Sequence, residues 1–264
     1  MDRTGNRSER ALRICLFCSD RAGTREHVWP QWLMSCVGTD PTSPTEYWNS
    51  IYSPPKTWLG PTFTTKRICG SCNNGWMSEL ENRVRAMMGG LINDLSLVLN
   101  REQQQALALW ASKTAMVIEG AKQGKNNFYS VGQRHSFRNT LVPPPDTAVW
   151  LGRCAQSNML HGEARNLHVR LSATPNPLEN GCATTFVVGR LVIQLLSVKR
   201  KPETGQRNLI IHMREGPWER KLVQVWPIER ERVNWPPPES FNDLDDGLRD
   251  LRRRFAVGVM SGTR

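Results

Sequence analysis

The chain is expected to fold as an α+β protein, with a cysteine-bounded unit first, a helical segment next and a β-rich antiparallel C-terminal region last. Three features predict this. Two Cys-x-x-Cys pairs, Cys15/Cys18 and Cys69/Cys72, bound one short region. Apolar residues then recur every three or four positions, after Cys72 and again after Asn100. From about residue 123 the pattern changes to short β-branched runs separated by turn residues. The boundaries drawn from these changes are 1–99 for the cysteine unit, 100–122 for a connecting helix, 123–238 for a β-rich basic domain and 239–264 for a basic tail.

The 264 residues have the apolar content of a globular chain that buries a core. No run reaches the roughly 18 apolar residues needed to span a bilayer, since the best candidate, Thr184 to Val198, is interrupted by Arg190 and Gln194. Met1 to Arg13 is polar and arginine-bearing, without the apolar core of a signal peptide. The expectation is therefore a cytoplasmic protein with no membrane partner.

Within the first unit, the interval of about 38–61 is rich in Pro, Thr, Ser and Trp and reads as an inserted surface loop. After Cys72, Leu80, Val84, Met87 and Leu91 mark one face of a helix that Gly89 and Gly90 are expected to weaken or end. The connecting helix starts at Asn100 as N-cap with Gln103 three positions on. It carries Leu107, Trp110, Thr114, Val117 and Ile118 along one stripe, with Gly120 as its stop. Strands are expected at Thr147–Leu151, Leu167–Leu171, Thr185–Ser197, Leu209–Met213 and Leu222–Trp226, as an antiparallel sheet or small barrel. Gly189-Arg190 either turns a hairpin or marks a bulge. Pro-rich Val233 to Pro238 closes the packed region, and Leu244 to Phe255, with Arg252, Arg253 and Arg254, suits a basic terminal helix.

A net charge of +11 and a pI of 9.7 favour a polyanionic partner, because cations that neutralise phosphates release counterions. The excess is uneven: 11 basic against 9 acidic residues in 1–99, but 24 against 15 in 100–264. A phosphate-tracking surface is thus expected mostly in the C-terminal part, the alternative being that these charges serve solubility alone.

Seven cysteines without a secretory signal point to metal ligands before disulfides. Structural zinc takes four N or S ligands at the corners of a tetrahedron, and each Cys-x-x-Cys turn supplies two. Cys15, Cys18, Cys69 and Cys72 are therefore assigned to Zn²⁺, and Cys36, Cys154 and Cys182 to the apolar interior.

Between and after the pairs stand Glu26-His27-Val28-x-Pro30 and Asn73, the latter directly following Cys72. In this order, over Ile14 to Glu81, the residues resemble the HNH endonuclease family, in the form that combines a treble-clef zinc finger with a ββα-metal motif. The resemblance implies that His27 is the general base, and that Glu26 and Asn73 hold a catalytic divalent ion, Mg²⁺ or Mn²⁺. It also implies that the partner is DNA, with RNA as the alternative. A neutral imidazole suits removal of a proton from water, and carboxylate and amide oxygens suit hard cations.

The pattern departs from the family in three ways. Its middle asparagine has no clear counterpart, Asn49 lying inside the insertion. Glu26 stands where Asp or His is usual, and Asn74 competes with Asn73. Adjacent strand residues also face opposite sides, so Glu26 and His27 converge only if the strand bends or ends, as Pro30 suggests.

Trp29, Trp32, Trp76 and Met77 are expected to wall the zinc unit, and Glu79 and Glu81 to favour the helix N-terminus. No sequence motif marks a role for His135, His161, His168 or His212. Three functions compete: a nuclease, a non-catalytic zinc-finger protein that binds nucleic acid, and a subunit of a defence or mobile-element assembly. An open cluster of Glu26, His27 and Asn73 favours the first, and pairing of Glu26 with Arg25 or Arg67 across a closed cleft favours binding alone.

Overall fold

A computed structural model describes residues 13–37, 44–48, 56–59, 64–121, 127–155, 160–169, 179–199, 218–242, 247, 249–251 and 254–255. Mixed helices and largely antiparallel sheet make up the fold, in keeping with the α+β class. After the first cysteine pair come β1 (Thr24–His27) and α1 (Gln31–Val37), then β2 (Pro44–Trp48), β3 (Lys56–Leu59) and β4 (Thr64–Ile68). A helical segment follows: α2 (Gly70–Cys72), a π-helical stretch (Asn73–Met77) and α3 (Ser78–Ile92). Next come β5 (Leu97–Leu99), α4 (Arg101–Ala121) and α5 (Val131–Thr140). The remaining elements are β6 (Thr147–Arg153), β7 (Leu160–Val169), β8 (Glu179–Val188), β9 (Leu191–Lys199), α6 (Trp218–Lys221), β10 (Leu222–Trp226) and β11 (Val233–Trp235).

The strands form three sheets: a β1-β4 hairpin, a β5-β11 pair, and a seven-stranded sheet in the order β10-β6-β9-β8-β7-β2-β3. The last of these corrects the reading of 38–61 as a loop. Its β2 and β3 pair with each other, and β2 runs parallel to β7, so the insertion extends the main sheet. Polar and proline-rich composition hid two strands that pair with each other and meet the main sheet only at Tyr47 and Trp48. The expected strand at Leu209–Met213 lies outside the described residues, as do Asn49, His212, Arg252 and Arg253.

Helix α4 starts where its cap predicts. The Gln103 N–H donates to Asn100 Oδ1 and the Asn100 N–H to Gln103 Oε1, each at 2.9 Å. Its single apolar stripe is a correction, however, because the helix is buried all round from Ala106 to Gly120, between the cysteine unit and the sheet. The helix ends at Ala121, one residue past the expected stop at Gly120, which is also a point of close approach: a Cβ there would lie 2.4 Å from Leu16 Cδ1. Gly90 serves the same purpose in α3, against Leu97, and α3 continues to Ile92 rather than ending at Gly89.

Trp29, beside β1, packs edge-on against Phe186 of β8 at 5.7 Å, and Phe186 in turn meets Trp110 of α4 at 6.3 Å. One hydrophobic cluster therefore runs from Cys15 through α4 to the sheet. Gly189-Arg190 is a two-residue hairpin turn, with Gly189 at φ +56°. Gln194, which interrupts the apolar run of β9, donates to the Leu251 carbonyl and accepts from Arg254. Arg254 is buried over the Trp150 ring, 4.1 Å from its centroid, so this tail arginine is a packing element and not part of a basic surface.

Candidate functional site

Cys15 and Cys18 lie in the turn before β1, and Cys69 and Cys72 lie where β4 passes into α2. Their four sulfur atoms fall within 4.8 Å of one another, with Cys18 to Cys69 at 3.4 Å and Cys18 to Cys72 at 3.7 Å. A tetrahedron with Zn–S bonds of about 2.3 Å requires S···S spacings of about 3.8 Å. The cluster could bind a metal such as zinc.

The surroundings act differently on the four sulfurs. Backbone N–H groups of Phe17 and Cys69 donate to Cys15 Sγ, and that of Cys72 to Cys69 Sγ. Burial pushes the Cys18 and Cys72 thiols up. At Cys69 burial acts the same way, yet the Ser71 hydroxyl and the Cys72 N–H hold the thiol down to about 7. Ser71 donates to Asp20 at 2.9 Å, tying the two cysteine turns together beyond the sulfurs.

One strand of the hairpin carries a bulge. Thr24 pairs with Ile68, but Glu26 pairs with Thr65, so Lys66 and Arg67 together oppose Arg25. Such an extra residue re-aims neighbouring side chains. Strand β1 also ends at His27, where the chain bends through buried Val28 and Trp29 to Pro30. This resolves the alternation problem, because Glu26 and His27 both line a cleft of about 550 Å³.

Asn73, directly after Cys72, also lines this cleft. Its N–H donates to the Cys69 carbonyl at 3.0 Å, which fixes it one position beyond the last ligand. Here the helix widens into the π-helical stretch, with Gly75 outside helical geometry. Exposed Asn74 does not line the cleft, so of the two asparagines only Asn73 joins Glu26 and His27 in its lining. The other lining residues are Arg25, Pro30, Gln31, Trp32, Ser35, Glu81 and Arg85.

Two further residues matter that the sequence did not single out for the site. Lys113 of α4, 1 % exposed, places Nζ 2.8 Å from Glu81 Oε1 and 3.8 Å from Glu26 Oε1. Glu81, assigned from sequence to the helix terminus, thus belongs to the cleft floor, and Glu26 pairs with neither Arg25 nor Arg67 among the described residues. Burial pushes the Glu26 carboxyl up to about 7, Lys113 acting against this and Glu81 with it. Lys113 sat in an apolar-looking helix 87 positions from Glu26, so only long-range packing pairs them.

Trp29 and Met77 are buried, and Trp76 stacks edge-on against Phe17 at 5.1 Å, so these side chains do wall the cysteine unit. Trp32, partly buried, lines the cleft instead. Among the described residues no helix is long and apolar enough to cross a membrane. No protein-family model matches the chain, and neither the curated proteins nor the solved structures contain a significant match.

Proposed function

We propose that the cleft hydrolyses phosphodiester bonds in DNA by HNH-type chemistry, with His27 as general base and Glu26 and Asn73 as holders of a divalent ion. The observation that supports this best is the meeting of those three side chains in one cleft beside a four-cysteine cluster. Two carboxylates share a single buried ammonium, so the floor carries a net negative charge suited to Mg²⁺ or Mn²⁺ once Glu26 is ionised. When bound, such an ion stabilises charge on the phosphoryl oxygens and on the departing 3′-oxygen. The His27 imidazole takes a proton from water as the water oxygen bonds to phosphorus and the bond from phosphorus to O3′ breaks. The zinc cluster holds the hairpin and the helix together, and so fixes the distance from His27 to Asn73.

Lys113 favours a second reading, a non-catalytic zinc-finger protein that binds nucleic acid, because its ammonium already neutralises part of the floor. A cleavage panel separates the two. Plasmid DNA, single-stranded DNA and RNA are incubated with Mg²⁺ or Mn²⁺ and either the parent or His27→Ala. The expected result is cutting by the parent and a loss of about 10²–10⁴-fold in the variant, at unchanged zinc content. A variant that cuts as well as the parent removes His27 from its role, and a zinc-loaded parent that cuts nothing leaves the binding reading.

A further inference from the structure

Charge in the cleft is sorted by depth. Glu26 is buried and Glu81 half-buried at the floor, whereas Arg25 and Arg85, which also line the cleft, are exposed at its mouth. Glu81 and Arg85 stand four residues apart on α3, the spacing and order at which a carboxylate and a guanidinium ordinarily pair on a helix surface. They do not pair here, because Lys113 takes the Glu81 carboxylate from below at 2.8 Å. Arg25 is likewise kept from its neighbour Glu26, whose side chain turns inward toward Lys113 at 3.8 Å. Among the described residues neither arginine makes an ion pair.

Among the described residues of the more basic C-terminal part, several cations are committed elsewhere. Arg153 and Arg190 hold Asp94 at 2.6 and 3.2 Å, Arg101 holds Glu231, Arg220 holds Glu239, and Arg134 and Arg254 are buried.

From this we infer that Arg25 and Arg85 form a phosphate clamp straddling the mouth of the cleft, which seats a nucleic-acid backbone over its floor. The inference rests on the phosphodiester reading above for its ligand but not for any chemical step. A guanidinium presents parallel N–H donors to two phosphate oxygens, so one arginine on each wall fixes the strand in position without reading its sequence. The buried Lys113 thereby has a second consequence: by occupying the carboxylates, it frees the arginines for substrate.

The test uses zinc-loaded full-length His27→Ala protein, so that binding is measured without cleavage. Fluorescence anisotropy with labelled duplex DNA, single-stranded DNA and RNA of one sequence is read from 50 to 200 mM salt. Arg25→Ala and Arg85→Ala are added singly and together, with Arg83→Ala, an exposed arginine of α3 outside the cleft, as control. Each clamp variant is expected to weaken binding and to flatten the slope of log K against log salt. The flattening is about 0.9 on duplex DNA or about 0.7 on single strands, additive in the double variant. Arg85→Lys is expected to restore the slope, because the charge returns. Equal slopes in the parent background and both clamp variants, an equal loss from Arg83→Ala, or no binding to any of the three nucleic acids overturns the clamp. Normal cleavage with unchanged slopes sinks this inference alone, while altered slopes without cleavage by the parent sink the hydrolytic reading alone.

Discussion

A carboxylate at the bottom of a cleft serves a cation only when it is ionised, and Glu26 is held where that is costly. Its folded value of about 7 lies above the 4.5 of an unperturbed glutamate, so the folded chain binds the proton more tightly than the unfolded one. The resulting stability is full below about 4.5 and is lost as pH rises through about 7. Glu26→Gln removes that loss. In buffer without added divalent ion, thermal unfolding of the parent should fall more between pH 6 and pH 8 than that of the variant, by on the order of 1–3 kcal/mol. The same variant should lose divalent-dependent cleavage, a stability gain set against a functional loss. Parallel pH profiles for the two proteins would mean that Lys113 already keeps Glu26 ionised and that burial matters little.

At this scale the sequence spoke unevenly. Glu26, His27 and Asn73 were legible because each stands at a fixed distance from a cysteine or a proline. Lys113 and Glu81 were not, since their roles arise only when α3 and α4 pack together. Arg25 and Arg85 carried no signal apart from charge, and overall charge pointed to the other end of the chain.

The elements around the cleft depend on four sulfurs to bring a turn, a hairpin and a helix start together. Among the described residues no other β-strand pairs with the β1–β4 hairpin. A two-stranded hairpin alone is marginal in water, so the metal is expected to contribute directly to folding. Cys69→Ser should therefore lose zinc and cooperative unfolding of the unit together, measured by metal analysis and thermal denaturation. A variant that keeps a parent-like melting temperature without zinc would show that packing against α4 suffices.

Where helices announced themselves by caps, as at Asn100, the sequence located them well. The capping box of Ser130 and Gln133 at α5 is equally present but stands out little in the sequence, because few apolar residues follow it. Strands β2 and β3 were hidden for a different reason: they pair with each other, and β2 joins the main sheet through β7 more than 100 residues away, so pairing overrode a composition that reads as loop.

At the scale of the whole molecule, α4 is the shared wall. Its buried surface meets the cysteine unit on one side and the sheet on the other, and it carries Lys113 to the floor of the cleft. Cleft and sheet are thus coupled through one helix, and the insertion fastens the cysteine unit to the edge of the same sheet. This explains why sequence boundaries at 99 and 122 mark changes in pattern without marking a break in the core.

The central claim, that His27 activates water against a phosphodiester in this cleft, is tested most directly by the ends of the cut strand. Zinc-loaded parent and His27→Ala proteins are given end-labelled DNA with Mn²⁺ or Mg²⁺, and the products are typed for phosphate at each terminus. Fragments with 5′-phosphate and 3′-hydroxyl ends from the parent, and none above background from the variant, are the expected result. Ends bearing a 3′-phosphate, or identical fragments from both proteins, would contradict it.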